Sequence, residues 1–369
     1  MSQATLVPHG TLDYAEARAL GVRPADLIVF SSNINPYGPP PAVLDALRAA
    51  CTADIIARYP DRLSLDLRDG LAALHAVDPA HILVGNGTAD ILWLIGLCFL
   101  RGRRVAILGP TFGEYDNAAR IMAATVVDVP LPGWARRDNR FFPAPTTLGQ
   151  SAADLAAAAP DAVFLCNPNN PDGQYLPPDA VAQLRAAAPD ALWVIDEAYA
   201  DFMDAPTTAI RAEAEARTLV LRSMTKDFAL GGLRLGYVVG APDLIEPLQA
   251  MQPPWNVNAF AHAAGLACLH ETDWRRRTLA QLRADCAQLR QALAALGFAP
   301  NLTTVAYFLV PVTDAPALRR ALLAQNLVVR DCTSFGLPHH IRIAARTPDD
   351  NRRLTDALAR LAHYAAPHA

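Results

Sequence analysis

Short apolar runs alternate with Ala- and Leu-rich stretches along most of the chain. Each run is five or six residues long and is followed by a turn signal. This pattern is expected for buried strands of a sheet that is covered on both faces. The predicted strands are 81–85, 104–109, 162–167, 192–196, 218–223 and 235–240. Helices are predicted between them, for example over 87–101, 177–188 and 242–251. The alternation predicts an α/β domain built on a mostly parallel sheet.

The pattern changes after the Pro-Pro pair at 253–254. A helical stretch over 258–296 leads to strand-like segments (VAYFLVPV, LVVRD and HIRIAA) and then to closing helices. This order predicts a smaller α+β domain. We therefore expect a large domain over 46–254 and a small domain formed by 1–45 and 255–369.

Composition and charge exclude several classes of function. The 369 residues are 52% hydrophobic and 18% charged, with a net charge of −4, so charge suggests neither a nucleic-acid nor a membrane-surface partner. The six cysteines lack metal-ligand spacing, which favours reduced thiols, no metal site and a cytoplasmic location. The N-terminus has no secretory pattern, and the apolar segment 91–100 is too short to span a bilayer.

Chemistry-bearing residues follow several predicted strands. In α/β sheets, ligands gather at the carboxyl ends of the strands. GNGTAD (85–90) opens a helix whose free N–H groups suit a phosphate, although such a turn alone is a weak signal. DEAYADF (196–202) by itself is as well explained by a helix cap. Lys226 follows a buried strand in a turn that is rich in hydroxyl groups, and Arg234 comes eight residues later.

Taken together, NPNNPDG (167–173), DEAY, SMTK and GLRLGY resemble the motifs of the class I and II aminotransferases, which have the fold-type I pyridoxal-phosphate (PLP) enzyme fold. The resemblance runs from about residue 9 to 360. Within the family, the chain is similar to the branch of histidinol-phosphate aminotransferases and threonine-phosphate decarboxylases. It implies the aspartate-aminotransferase-like fold, PLP as cofactor, and a homodimer. Asp172 departs from the family pattern, which usually has Thr there.

The resemblance implies a role for each residue of the cofactor pocket. Lys226 would hold PLP as a Schiff base and move the proton at the substrate α-carbon. Asp196 would pair with the pyridine nitrogen, and Asn170 and Tyr199 would bond the ring hydroxyl. Phe112 would stack on the ring. The phosphate would be held by Gly87, Thr88, Ala89, Ser223, Thr225 and Arg234, with Tyr59 reaching it from the neighbouring subunit.

The substrate contacts are also implied by the resemblance. Arg342 would grip the α-carboxylate as a bidentate fork, and Arg330 would lie near a distal anionic group. Asn35, with Asn33 and Tyr37, falls in a loop that would cover the substrate, and a surface turn is the rival interpretation. His9 would contribute if the chain resembles the decarboxylases more closely.

The motifs leave the reaction open. An aminotransferase is the first hypothesis, and a phospho-amino-acid decarboxylase is the second, favoured by His9-Gly10 and PPWNVN (253–258). A PLP-binding module without catalysis is a third. We expect this one to be wrong because the chain retains Lys226, Asp196, Arg234 and Arg342 together, and because we expect no DNA-binding segment before the fold.

Overall fold

The computed structural model describes residues 13–19, 21–205, 208–210 and 217–366. Within them a seven-stranded sheet forms the centre, flanked by helices. The first part of the chain forms α1 (Tyr14–Ala19), β1 (Ile28–Val29), α2 (Pro41–Ala50), α3 (Ala53–Ala57), α4 (Leu65–His75), β2 (Ile82–Gly85), α5 (Thr88–Ile95), β3 (Arg104–Gly109), α6 (Glu114–Ile121), β4 (Thr125–Pro130), β5 (Trp134–Arg137), β6 (Arg140–Pro143) and α7 (Leu148–Ala158).

The remaining elements complete the sheet and build a second cluster. They are β7 (Ala162–Cys166), α8 (Pro178–Ala187), β8 (Leu192–Asp196), β9 (Thr218–Ser223), β10 (Gly236–Gly240), α9 (Pro242–Met251), α10 (Ala259–Cys268), α11 (Thr272–Ala295), β11 (Tyr307–Pro311), α12 (Ala315–Leu323), β12 (Leu327–Val328), β13 (Arg330–Asp331), β14 (His340–Ala344) and α13 (Pro348–Arg360). All six predicted strands are confirmed, as is the α/β class.

The central sheet has the order β2-β10-β9-β8-β7-β3-β4. All neighbours are parallel except β10, which is antiparallel to both β2 and β9. Alternate residues of β7 pack into different clusters. Phe164 joins α5 and α6 residues on one face, whereas Val163 and Leu165 join α7 and α8 residues on the other. Burial on both faces explains why these strands read as continuous apolar runs.

The helical stretch predicted over 258–296 is two helices, because the chain turns at 269–271. α10 packs against α2 and α4. α11 contributes Leu282 and Leu289 to a separate cluster with Phe30 and Phe308. Ala259–Cys268 thus pack on the large part, and the domain boundary at residue 254 stays a prediction.

The apolar segment at 91–100 is mostly buried, although Trp93 and Leu97 are exposed. It forms the end of α5 and the π-helical turn Gly96–Leu100 that continues it, with Leu94, Ile95 and Leu100 buried. No helix in the described ranges is both long and apolar enough to cross a membrane.

Candidate active site

A cavity of about 390 Å³ opens where the strand ends of the large sheet face the small part of the protein. Residues from distant parts of the chain line it: Ser31, Ser32, Asn33, Ile34, Ala89, Phe112, Gly113, Glu114, Asn170, Tyr199, Lys226, Arg234, Arg330, Ser334, Phe335 and Arg342. Eight of the predicted cofactor and substrate contacts therefore line one cavity: Ala89, Phe112, Asn170, Tyr199, Lys226, Arg234, Arg330 and Arg342.

Lys226 lies in the turn that follows β9, and its amine faces this cavity. Burial and the positive charges of Arg234 and Arg342 together lower the pKa of the amine to about 8, against the opposing effect of Asp196. A lysine with this pKa has a substantial neutral fraction near neutral pH. The amine can therefore act both as a nucleophile and as a base.

Asp196 ends β8 and is 4% exposed. One carboxylate oxygen accepts a hydrogen bond from the Tyr115 hydroxyl at 2.7 Å, and the other accepts from the Ala198 N–H at 2.9 Å. Burial raises the pKa of the carboxyl, while these two donors and the charge of Lys226 oppose the rise. The group is suited to a cationic partner brought into the cavity.

The N-terminus of α5 and Arg234 form a cradle for an anion. Gly87 caps the helix at φ +81° without a side-chain cap, so the first N–H groups of the helix stay accessible to a ligand. A Cβ at Gly87 would lie 2.7 Å from the Arg234 guanidinium, and a Cβ at Gly236 would lie 2.8 Å from the Thr88 N–H. Glycine at both positions lets the guanidinium and the helix terminus approach each other.

Ser223 and Thr225 lie beside this cradle, on either side of the strand end. Their hydroxyl groups are 2.6 Å apart and both side chains are buried. Neither residue lines the main cavity, and the two hydroxyl groups bond each other. A phosphate near Arg234 would offer both hydroxyls an acceptor.

Asn170, Tyr199 and Phe112 form the part of the wall nearest the sheet. Tyr199 is 7% exposed, its hydroxyl accepts from the Asn33 amide at 3.2 Å, and burial raises its pKa. Phe112 packs edge-on against Tyr115, with ring centroids 5.6 Å apart. The three predicted ring contacts are therefore brought together.

Arg342 and Arg330 enter from the small part of the protein. Arg342 donates to Asn170 Oδ1 and, at 2.6 Å, to the carbonyl of Ser31, and its Nε has no hydrogen-bond partner within the described ranges. Arg330 donates to Ser334 Oγ at 2.6 Å and lies over the Phe335 ring. Burial and the nearby Arg342 lower the pKa of Arg330 to about 10. Both side chains are suited to anions.

Asn35 does not reach the cavity, in contrast to the expectation that it contacts substrate. It is 1% exposed, and its side-chain amide donates to the Asp227 carbonyl and to Thr278. Both N–H groups of the amide are thus occupied inside the protein, so Asn35 has no free donor for a substrate. Tyr37 also points elsewhere, to Asp285, whereas Asn33 does line the cavity.

Tyr59 lies away from the cavity of its own chain. Tyr59 is 78% exposed and stacks on Trp255, with ring centroids 4.3 Å apart. A contact from Tyr59 to a phosphate would therefore have to be made in another subunit, as the family resemblance implies. His9 lies outside the described residues.

Several functional candidates were missed by sequence reasoning. Tyr115 bonds Asp196 directly, and Ser31, Ser334 and Phe335 line the cavity beside the two arginines. Tyr115 stands three residues after Phe112 in the same helix start, a spacing that places both on one side of the turn. Ser31 contributes its backbone carbonyl, which leaves no signal in the sequence, whereas Ser334 and Phe335 contact Arg330 through their side chains.

Asp172, the departure from the family motif, is 3% exposed and fully bonded. Its carboxylate accepts from Trp134 Nε1 and from the Asn169 amide, both at 2.8 Å, and from the Gln174 N–H at 3.1 Å. Burial raises its pKa, and the three donors oppose the rise. The residue tightens the loop behind the cavity and does not line it.

These groups fit pyridoxal phosphate. The cradle at Gly87 and Arg234 offers N–H donors and a charge for a phosphate, Asp196 offers a buried carboxylate for a ring nitrogen, and Lys226 offers an amine for an aldehyde. Asp196, Lys226 and the α5 terminus come from separate strand ends, which sets them around one ligand. The cavity volume also lies within the range of small-molecule sites.

Comparisons with known proteins agree with this fit. The sequence model of the aminotransferase class I and II family matches residues 25–358. The histidinol-phosphate aminotransferase of Symbiobacterium thermophilum is 35% identical, with 92% of this chain and 91% of that protein covered. The threonine-phosphate decarboxylase of Salmonella typhimurium is 34% identical, with 97% and 98% covered.

A solved structure is similar over nearly the same length. The histidinol-phosphate aminotransferase of Clostridium acetobutylicum has a TM-score of 0.79 and 25% identity, with 90% of this chain and 98% of that chain covered. The family match spans more than half of this chain, and the two relatives above exceed 30% identity. The chain therefore belongs to the class I and II aminotransferase family, and it is a pyridoxal-phosphate-dependent enzyme.

Proposed function

We propose that this enzyme transfers the amino group of a small amine that carries two negative charges, such as an amino-alcohol phosphate or an acidic L-amino acid. The observation that carries the proposal is the pair Arg330 and Arg342. Their Cα atoms are partners on β13 and β14, and both side chains line the cavity that Lys226 also lines.

The charges of this pair call for an anionic ligand. Residues directly opposite each other on antiparallel strands have neighbouring side chains, and like charges in that position repel. The proximity of Arg342 lowers the pKa of Arg330, in line with that repulsion. A phosphate or two carboxylates placed between the guanidinium groups would offset it and would use the bidentate geometry of arginine.

The remaining side chains have separate tasks around the cofactor. When bound, pyridoxal phosphate supplies an electron-accepting ring that stabilises negative charge at the substrate α-carbon. Lys226 holds the cofactor covalently and, once released, moves the proton at that carbon. Asp196 stabilises the positive charge on the ring nitrogen. Asn170 and Tyr199 orient the ring through its hydroxyl group, and Phe112 covers its face.

The phosphate of the cofactor fixes the ring relative to the substrate. Thr88 and Ala89 at the start of α5 offer backbone N–H groups, and Arg234 supplies the charge. Ser223 and Thr225 add hydroxyl donors. Orientation matters because the bond perpendicular to the ring is the one that breaks, so these contacts help to decide the reaction.

The relatives support an aminotransferase that accepts a phosphorylated amine. Proteins named histidinol-phosphate aminotransferase match at 30% to 36% identity over most of the chain. A phosphate ester of an amino alcohol presents a dianion near the reacting amine. Such a group fits a pair of arginines beside Lys226 better than a neutral side chain does.

A phospho-amino-acid decarboxylase is the second candidate, favoured by the similarity to threonine-phosphate decarboxylase over 97% of this chain. Such a substrate would place a carboxylate on Arg342 and a phosphate near Arg330. The arginine pair serves either reaction. The orientation of the bonds at the substrate α-carbon would decide between transamination and decarboxylation.

We further propose that the enzyme is a homodimer in which Tyr59 completes the site of the neighbouring subunit. Tyr59 and Trp255 form an exposed aromatic pair, and Ile56 and Leu65 are also more than half exposed nearby in sequence. Exposed apolar side chains of this kind are typical of an interaction surface. The six cysteines are unpaired, which fits the cytoplasmic location that we expect.

Single-turnover spectroscopy of the purified holoenzyme tests the proposal. The amines to be mixed with it are histidinol phosphate, threonine phosphate, glutamate and neutral amino acids, with carbon dioxide measured in parallel. Conversion of the cofactor to pyridoxamine phosphate without carbon dioxide release is expected for one or more of the dianionic amines. Carbon dioxide release with unchanged cofactor would establish the decarboxylase instead, and Lys226→Ala, which should lose both reactions, is the control for the catalytic residue.

A further inference from the structure

The loop over 31–37 connects the substrate cavity to the framework that carries Lys226. Its first residues, Ser31 to Ile34, line the cavity, and its alternate residues bond different parts of the site. The bonds join Ser31 to Arg342, Asn33 to Tyr199, Asn35 to Lys226 and Tyr37 to Asp285.

Asn35 uses its backbone N–H and every polar group of its side chain. Its N–H donates to the Lys226 carbonyl at 2.9 Å, and its amide donates to the Asp227 carbonyl at 3.0 Å and to Thr278 Oγ1 at 2.9 Å. Its side-chain oxygen accepts from the Tyr37 N–H at 3.2 Å. With 1% of its surface exposed, the residue is held in place on all sides.

The segment that Asn35 holds is the turn that follows β9. It spans residues 224–228, where the Met224 N–H also donates to the Leu235 carbonyl at 3.2 Å and the Ala229 N–H to the Lys226 carbonyl at 3.4 Å, and one carboxylate oxygen of Asp227 has no hydrogen-bond partner within the described ranges. The carbonyls of Lys226 and Asp227 belong to consecutive peptide groups on either side of the Asp227 Cα. Bonds to both fix the orientation of the backbone from which the lysine side chain departs.

We infer that Asn35 is a positioning residue that sets Lys226 in its catalytic place and couples it to the order of the substrate loop 31–37. The inference deepens the function proposed above and rests on it for the role of Lys226. Coupling between two sites is reciprocal. Capture of Lys226 by the cofactor therefore stabilises the loop, and ordering of the loop favours the reactive position of Lys226.

The ionisation of Lys226 reports its position without any need for turnover. Its pKa is about 8 because the amine is buried and faces Arg234 and Arg342, with Asp196 as the opposing charge. A lysine that leaves this place for water regains the usual pKa. Each unit of rise lowers the neutral fraction at pH 7 about tenfold.

The first experiment measures covalent capture of Lys226 in the apoenzyme. Pyridoxal phosphate is added at a series of pH values, the adduct is trapped with borohydride, and labelling of the Lys226 peptide is followed by mass spectrometry. Asn35→Ala and the isosteric Asn35→Asp should shift the pH midpoint of capture upward and lower the rate at pH 7 by about fivefold or more. Thr278→Val, which keeps both bonds to the lysine backbone, and Tyr14→Phe, at an exposed position outside the loop, are the controls and should capture as the wild type does.

Unchanged capture profiles for both Asn35 variants would overturn the inference, as would equal losses in the two controls. The capture assay needs cofactor binding but no amino transfer. If the Asn35 variants shift capture as expected and the wild-type protein lacks transaminase activity, that outcome would count against the proposed function alone. In the active enzyme the Asn35 variants should lower kcat more than they raise KM.

A second experiment uses the wild-type protein, so it does not depend on a variant that folds. Hydrogen exchange of residues 31–37 is compared in the apoenzyme, with pyridoxamine phosphate, and with pyridoxal phosphate. The two ligands fill the same cavity, but only the second bonds Lys226. Exchange should be slower with pyridoxal phosphate than with pyridoxamine phosphate by about fivefold. Equal protection by the two ligands would contradict the coupling.

Discussion

Arg330 and Arg342 are direct partners across two antiparallel strands, with their Cα atoms in register on β13 and β14. Twelve positions apart in the sequence, they line one cavity with Lys226. The arrangement places two positive charges in the same cavity as the amine that we expect to hold the cofactor. An anionic substrate is the natural counterpart of this pair.

Substitution of each arginine should separate their roles. Arg330→Gln should lower kcat/KM about 10²-fold for dianionic amines and much less for neutral amino acids, because it removes one buried charge-assisted contact. Arg342→Gln should lower kcat/KM for both classes. Steady-state kinetics with a phosphorylated or acidic amine and with a neutral amino acid measure the difference. Equal losses in both classes for Arg330→Gln would contradict a role in reading the second charge.

Tyr59→Phe should weaken cofactor binding about tenfold, the effect of one lost hydrogen bond to a phosphate. Tyr14→Phe, a change at another exposed tyrosine, is the matched control. Equilibrium titration of the apoenzyme with pyridoxal phosphate gives the affinity, and light scattering gives the mass of the assembly. Wild-type affinity in Tyr59→Phe, or full activity in a monomer, would argue against a site shared between subunits.

Asp172→Thr, which restores the residue usual in the family, should destabilise this particular protein by about 2 kcal/mol. The reason is that it leaves the buried Trp134 indole N–H and Asn169 amide without their acceptor. Chemical denaturation measures the free energy of unfolding. Since Trp134→Phe removes one of those donors, the double variant should lose less than the sum of the single losses. Simple additivity would show that the Trp134 contact is not the cause.

Asp227 should make stability depend on pH. Burial and the nearby Asp201 raise the pKa of its carboxyl to about 7, above the value of about 3.9 for an unfolded chain. The folded protein therefore binds a proton that the unfolded chain has lost, and the contribution to stability that is present below pH 4 disappears as pH rises through 7. The free energy of unfolding of the wild type relative to Asp227→Asn should fall between about pH 4 and pH 7 and stay constant above that range.

Denaturant titrations at several pH values measure this difference. Asp179→Asn, at an exposed position on α8, is the control for the loss of one carboxylate. A difference between wild type and Asp227→Asn that does not change with pH would show that Asp227 is ionised in the folded protein throughout.

The strands of the central sheet were predictable because burial on both faces makes them short continuous apolar runs. β4 and the β5–β6 hairpin were not predicted. β4 is only partly buried, and the hairpin carries exposed arginines, so neither shows a continuous apolar run. The break at 269–271 was also missed, because both helices beside it have an unbroken helical composition and only their packing partners differ.

By itself, the sequence determined the class of fold and the cofactor, and it predicted the lysine that would carry the cofactor, since these depend on local motifs whose residue types are required by the chemistry. The tertiary structure decided which distant residues meet. Arg234 precedes β10, yet it joins residues that follow other strands because β10 runs antiparallel and begins at the same sheet edge. Asn35 turns inward to the backbone of Lys226, and Arg330 faces Arg342, because strand direction and register are set by packing over the whole chain and are not encoded in any local pattern.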